Sequence, residues 1–397
     1  MRSAHAAFQA TSDIPDVRRF LPFRDDLHGI HELARVALVA LAAALGACSS
    51  IAPSPPAAPL DPVRAHALID AALPRPLADR AGWNEDLYQG FTRQSIDIDR
   101  ENVCAVAAVI QQESGFRVNP TVPNLPAIAW NEIDARAAHA GVPRFIVHGA
   151  LALSSRTGHT YAERIDAART EKDLSDVYQD FIGSVPLGQT LFADRNPIRT
   201  RGPMQVNVTF ARAEAARHDY PYRIDTPIEE ELFNRRGGLY FGISHLLGYR
   251  APYDRFIFRF ADFNAGRYSS RNAAFQSAVS AVSGAPLTPD GALLPRGEGD
   301  AQRIGATERA LRSIESRLGL SDAEIREALE TERTVQLERT RLYSRVFALA
   351  ERTVGHRLPS AILPRIDLHG PKITRRLTTE WYAKRVDGRF EACLKRS

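Results

Sequence analysis

The sequence predicts a mainly α-helical protein, and three observations carry that prediction. Apolar residues recur at helical spacing, as in Val103, Val106, Ala107 and Ile110. Helix start and stop residues frame such stretches: Asp99 and Gly115 around that one, and a capping box at Ser321-Asp322-Ala323-Glu324. Only residues 361–368 alternate, weakly, in the manner of a strand. Composition agrees. A chain of 397 residues, 44% hydrophobic, buries a large core without staples, and 3 Cys are too few for a disulfide scaffold. The net charge of +4 is small although 47 of the 51 basic residues are Arg, and no DNA- or RNA-reading motif occurs, so nucleic acid is not an expected partner.

The elements follow in chain order. Residues 36–46 form an uncharged apolar run after Arg35, too short to span a bilayer but suited to the core of a signal peptide. Leu45-Gly46-Ala47-Cys48 ends that run and resembles a bacterial lipobox. The resemblance implies a signal peptide over 1–47, cleavage before Cys48, and a lipid on the Cys48 thiol and amine. The alternative is a short buried helix ending at a core cysteine. The preceding 35 residues are unusually long and acidic for such a signal, and reading Leu33 as the initiator gives the ordinary length. Residues 48–63 carry five prolines and read as an extended tether. Ser49 in place of the Asp that resembles an inner-membrane retention signal implies the inner leaflet of the outer membrane, with the protein facing the periplasm.

The helix from Asp99 places Glu113 as the next position on its apolar stripe. An apolar face and the negative helix end both disfavour an ionised carboxylate, which suits a general acid for glycoside cleavage. The alternative is a helix-end Glu turned to solvent. Three further segments bear on the choice. Gln112-Glu113-Ser114-Gly115-Phe116 resembles the Glu-Ser motif of the lytic transglycosylases, relatives of goose-type lysozyme. Gly202-Pro203-Met204-Gln205 is similar to their Gly-Leu-Met-Gln turn, Asn234-Arg235-Arg236-Gly237-Gly238 with Phe241 to their Asn-x-x-x-Gly helix start, and Asp262-Phe263-Asn264-Ala265-Gly266 to their Ala-Tyr-Asn-Ala-Gly.

This resemblance, over about residues 100–282, implies a lysozyme-like catalytic domain (64–283) with Glu113 as acid/base. It implies substrate-side or supporting roles for Ser114, Met204, Gln205, Phe263 and Asn264. The substrate implied is the glycan strand of peptidoglycan. No cofactor is implied, and scattered histidines without paired ligand spacing point to no metal. Phe263 stands where the family has Tyr, so the hydroxyl near the acid must come from elsewhere, with Tyr240, Tyr249 and Tyr268 as candidates. Asp262 is the sequence's best offer of a second carboxylate, against a capping or ion-paired Asp. The alternatives to a transglycosylase are a hydrolytic muramidase using Asp262, and an inactive peptidoglycan-binding or envelope-assembly lipoprotein.

Between Glu113 and Gly202 lie 88 residues, far more than in the soluble relatives. This insertion (about 120–200) reads as short helices over 128–139, 160–168 and 173–182. Arg195, Arg199 and Arg201 at its far end are candidates for acidic peptide stems, against a solvated loop. Residues 284–300, rich in Gly and Pro, read as a linker to a helical region over 301–397. There the capping box opens a helix expected to reach residue 354, and residues 374–386, with Trp381 and Tyr382, form a last helix. Cys104 and Cys393, in an oxidising compartment, either pair as a disulfide or stay as two buried thiols. The chain as a whole resembles an uncharacterised family of proteobacterial lipoproteins.

Overall fold

Asp61 opens the folded chain: its carboxylate accepts from the Arg64 amide and Pro62 takes the first helical position, where no amide is needed. A computed structural model describes residues 60–192, 195–295, 297, 303–370, 373 and 375–396. Cys48, the apolar run before it and most of the tether lie outside the described residues. The described chain contains eighteen α-helices. They are α1 (Pro62–Ala72), α2 (Arg80–Thr92), α3 (Arg100–Glu113), α4 (Leu125–His139), α5 (Arg144–Leu151), α6 (Tyr161–Ala167), α7 (Glu171–Ser184), α8 (Gly188–Phe192) and α9 (Val208–Arg217). The series continues with α10 (Ile228–Glu231), α11 (Arg235–Leu247), α12 (Phe256–Ala265), α13 (Ser269–Ser283), α14 (Ala306–Arg312), α15 (Glu315–Leu318), α16 (Asp322–Glu330), α17 (Arg341–Val354) and α18 (Thr379–Leu394). Two antiparallel ribbons complete it: β1 (Thr200–Arg201) with β2 (Val206–Asn207), and β3 (Asp367–Leu368) with β4 (Leu377–Thr378).

The main core surrounds α3. Every residue from 103 to 110 is buried, so the stripe expected on one face is an all-round apolar helix. α18 packs against both α3 and α12, and the Cys104–Cys393 disulfide joins α18 to α3. A second core forms where Phe275, Val279 and Val282 of α13 meet α14 to α17. A third, small core sits inside the insertion, around Tyr161, Ile165 and Val177.

Three expectations are corrected. The helix from the capping box stops at Glu330, and a 3-10 turn (Val335–Arg339) separates it from α17. The cause is the buried Arg271, whose guanidinium donates to the carbonyls of Glu332 (2.5 Å) and Thr334 (2.7 Å). A continuous helix would have spent those carbonyls on its own ladder. The strand over 361–368 shrinks to Asp367–Leu368. The last helix starts later, at Thr379, because the Thr378 hydroxyl caps it through the Trp381 amide, and it runs on to Leu394. The three helices expected in the insertion are present as α4, α6 and α7. Residues 284–295 lie along α13, with the Gly291 amide on Gln276 (2.8 Å) and the Leu293 amide on Glu332 (2.6 Å).

Candidate active site at the end of α3

Asp99 starts α3 by accepting from the Asn102 amide at 2.7 Å, and Glu101 adds a favourable charge in the first turn. The helix ends on a tight exit. The Ser114 and Gly115 amides both donate to the Ile110 carbonyl, and Gly115 takes a left-handed φ of 59°. The Ser114 hydroxyl also donates to Ile110, at 3.1 Å, so this buried side chain secures the helix end. Glu113 is therefore the last helical residue, and it is half-buried.

The group that meets it comes from the far end of the chain. The Tyr382 hydroxyl donates to Glu113 Oε1. Burial and the Glu113 charge hold the Tyr382 pKa well above its ordinary value, so it stays a donor. One turn earlier on the same face, the Thr379 hydroxyl bonds Asn264 Oδ1 at 2.8 Å. Residues Glu113 and Asn264, from the first and last motifs, are thus held by one face of α18. Further along, Arg389 Nε donates to Gln112 at 3.2 Å, Arg100 reaches the Leu394 carbonyl, and Cys393 is bonded to Cys104.

The two middle motifs meet each other. Gly202, at φ 74°, turns the chain so closely over α10 and α11 that a Cβ there would lie 2.1 Å from the Leu232 carbonyl oxygen. At Gly242 a Cβ would lie 2.3 Å from Met204 Sδ. Met204 is wholly buried and so presents no surface to a ligand. Gln205 has φ 50°; its Oε1 accepts from Thr200 at 3.0 Å and its Nε2 donates to the Gly202 carbonyl at 3.2 Å, which fixes the turn. Arg201 is not on a solvated loop. It is buried, donates to the Glu229 carbonyl (2.5 Å) and Glu230 (3.1 Å), and stacks on Phe233.

Asp262 is also a buried structural residue. Its carboxylate accepts from Tyr249 (3.0 Å), Tyr253 (2.6 Å) and the amides of Tyr268 (2.8 Å) and Ser270 (2.7 Å). Burial nevertheless pushes its pKa up to about 6. Tyr249 is thereby committed to Asp262, and Tyr268 donates to the Arg250 carbonyl at 3.0 Å. Tyr240 packs with Tyr220, Tyr222 and Phe241. The three tyrosines considered from sequence are therefore placed elsewhere, and Tyr382 and Thr379 are the residues sequence reasoning missed.

Phe263 lies against His245, whose Nε2 donates to the Phe263 carbonyl at 3.1 Å. Burial, with Arg267 adding its charge, pushes the His245 pKa down to about 4. The unfolded chain titrates near the ordinary value of about 6.5, so between those values it binds more protons and stability falls as pH drops. Between pH 7 and pH 4 the wild type is expected to lose about 3 kcal/mol more than His245→Gln, measured by urea unfolding at both values. An equal pH slope in the two proteins would contradict the assignment. Asp262 contributes with the opposite sign but equally to both proteins, so the difference isolates His245.

Among the described residues no group of His, Cys, Asp and Glu side chains could hold a metal ion, and no helix is long and apolar enough to cross a membrane. The features that remain define an α-helical protein in which Glu113, at a helix end and half-buried, accepts from a tyrosine hydroxyl. The chain belongs to the family with the description "protein of unknown function (DUF1615)", whose model matches residues 76–396. It is 49% identical over 329 residues to "Uncharacterized protein YaiW" of Escherichia coli (strain K12), covering 83% of this chain and 89% of that one. No solved structure matches.

Proposed function

We propose that the chain is a lysozyme-like lytic transglycosylase that cleaves the β-1,4 bond between N-acetylmuramic acid and N-acetylglucosamine in peptidoglycan. The observation that carries the reading is the hydrogen bond from Tyr382 to Glu113, with Asn264 held from the same helix face. The resemblance calls for a tyrosine hydroxyl beside the acid. Phe263 cannot supply it, and α18 does so from outside the motif.

Glu113 protonates the bridging oxygen as the glycosidic bond breaks, and C1 takes on oxocarbenium character. The ionised carboxylate then removes the proton from the sugar's own C6 hydroxyl, whose oxygen bonds to C1. The product is a 1,6-anhydro end, and Glu113 is again protonated. Because the nucleophile belongs to the substrate, no second carboxylate is needed. A hydrolytic route would need one to activate water, and Asp262, wholly buried beneath four donated hydrogen bonds, offers no base for it. A lipid on Cys48 would tether the domain to the outer membrane with its site turned to the periplasmic glycan.

Tyr382 is a positioning residue in this scheme. Its donated bond holds the Glu113 carboxylate in place. Tyr382→Phe is expected to lower kcat for glycan release about tenfold with KM unchanged, measured on the folded protein. A purely structural role would lower the melting temperature and leave kcat of the folded protein in place.

A further inference from the structure

The insertion contains a feature that the catalytic reading does not use. Helices α4 to α8 and residues 197–200 line a half-open cavity of about 930 Å³, at the upper end of ordinary ligand pockets. Its walls are apolar side chains, among them Ile128, Ile133, Val147, Leu174, Phe181 and Ile198. Left open to water, these walls hold apolar surface that an apolar occupant would cover. Phe145 and Ile146 of α5 and Leu187 before α8 are exposed as well.

One edge of the cavity is cationic. Tyr178 lines it and donates its hydroxyl to the Phe192 carbonyl at 2.7 Å, and Arg195 lies over the Phe192 ring. Arg136 and Arg199 also line the cavity, and all three guanidinium charges act on the Tyr178 phenol. The carboxylates on the lining are Glu132, paired with Arg136 at 2.6 Å, and Glu171, and His369 also lines the cavity. Arg195, Arg199 and Arg201 are close in sequence. The fold sends Arg201 to the core and the other two here.

An apolar interior with a cationic edge selects one kind of occupant. A peptide or sugar would carry polar groups inward to walls that cannot pair them, whereas an alkyl chain has none to pair. We propose that this cavity binds a single-chain anionic amphiphile, with its alkyl chain among the α4, α5 and α7 side chains and its carboxylate or phosphate head at Arg195 and Arg199. The site is separate from Glu113 and does not depend on the transglycosylase reading.

The test is calorimetry on the full chain in detergent-free buffer, with decanoate, dodecanoate, tetradecanoate and dodecyl phosphate as probes below their micelle concentrations. One-to-one binding is expected, tightening roughly fourfold per added methylene. Dodecyltrimethylammonium is expected to bind at least about tenfold more weakly than dodecanoate, and Arg199→Glu, at the exposed edge, to weaken dodecanoate by about tenfold. Ala150→Trp, which puts an indole into the cavity, is expected to weaken dodecanoate at least about tenfold while keeping the wild-type melt. Stronger binding of dodecyl phosphate than of dodecanoate would assign the head to a phosphate, and the reverse to a carboxylate. The proposal is overturned if the wild type binds neither anion saturably, if the folded Ala150→Trp variant binds dodecanoate unchanged, or if the ammonium binds as tightly. It is overturned too if wild type and Ala150→Trp attach equally to phosphatidylglycerol vesicles and neither takes up dodecanoate, which would assign the apolar surface to a membrane. Should Ala150→Trp fail to fold, Arg199→Glu decides: dodecanoate binding unchanged by that substitution overturns the proposal.

Discussion

Glu113→Gln is expected to reduce muropeptide release from purified sacculi about a thousandfold or more, the scale of a lost general acid/base that serves two proton transfers. The substitution keeps the size of the side chain and an oxygen that can accept from Tyr382. Glu113 is half-buried at a helix end, so stability should change by less than about 1 kcal/mol. Chromatography of the soluble products beside a thermal melt of each protein checks both halves. Release by the folded variant at the wild-type rate would remove Glu113 from the chemistry.

The second large effect concerns stability. Replacing Cys104 and Cys393 by Ala opens a loop of 289 residues and is expected to cost about 4 kcal/mol in urea unfolding, within the range measured for native disulfides. The loss should also reach the site. Cys393 sits near the end of α18, and Tyr382 and Thr379 reach Glu113 and Asn264 from the start of the same helix. A double variant that melts as the wild type does would show that apolar packing of Val386 and Phe390 alone seats α18.

Much of the site was legible because local rules govern it. Asp99 and Gly115 set the two ends of α3, and their spacing makes Glu113 its last residue. The link between α18 and Glu113 was harder to read, since it joins residues 269 apart in sequence. A signal for it was nevertheless present. If Cys104 pairs with Cys393 and the two helices run antiparallel, Glu113 lies about 14 Å from the disulfide along one helix and Tyr382 about 16 Å along the other. The two then fall side by side. Reading the last helix only to residue 386 left Cys393 off it and hid that register.

The other misses share a cause. Arg201 reads as surface because arginine usually is, but its guanidinium sits on the Phe233 ring and on backbone carbonyls, partners that no spacing announces. Arg271 breaks the helix after Glu330 through carbonyls 61 and 63 residues away. Asp262 shows the reverse case. Its position before an aromatic residue suggested a site carboxylate, while the donors that claim it come from four other positions in the fold. Buried polar residues take their roles from long-range partners, and those partners are what pattern reading lacks.

The most direct test of the central claim is the mass of the glycan ends released from purified sacculi. The transglycosylase mechanism yields 1,6-anhydro-N-acetylmuramyl ends, lighter by one water than reducing ends, from the wild type and not from Glu113→Gln. Reducing ends, or intact glycan after incubation with the wild type, would contradict it.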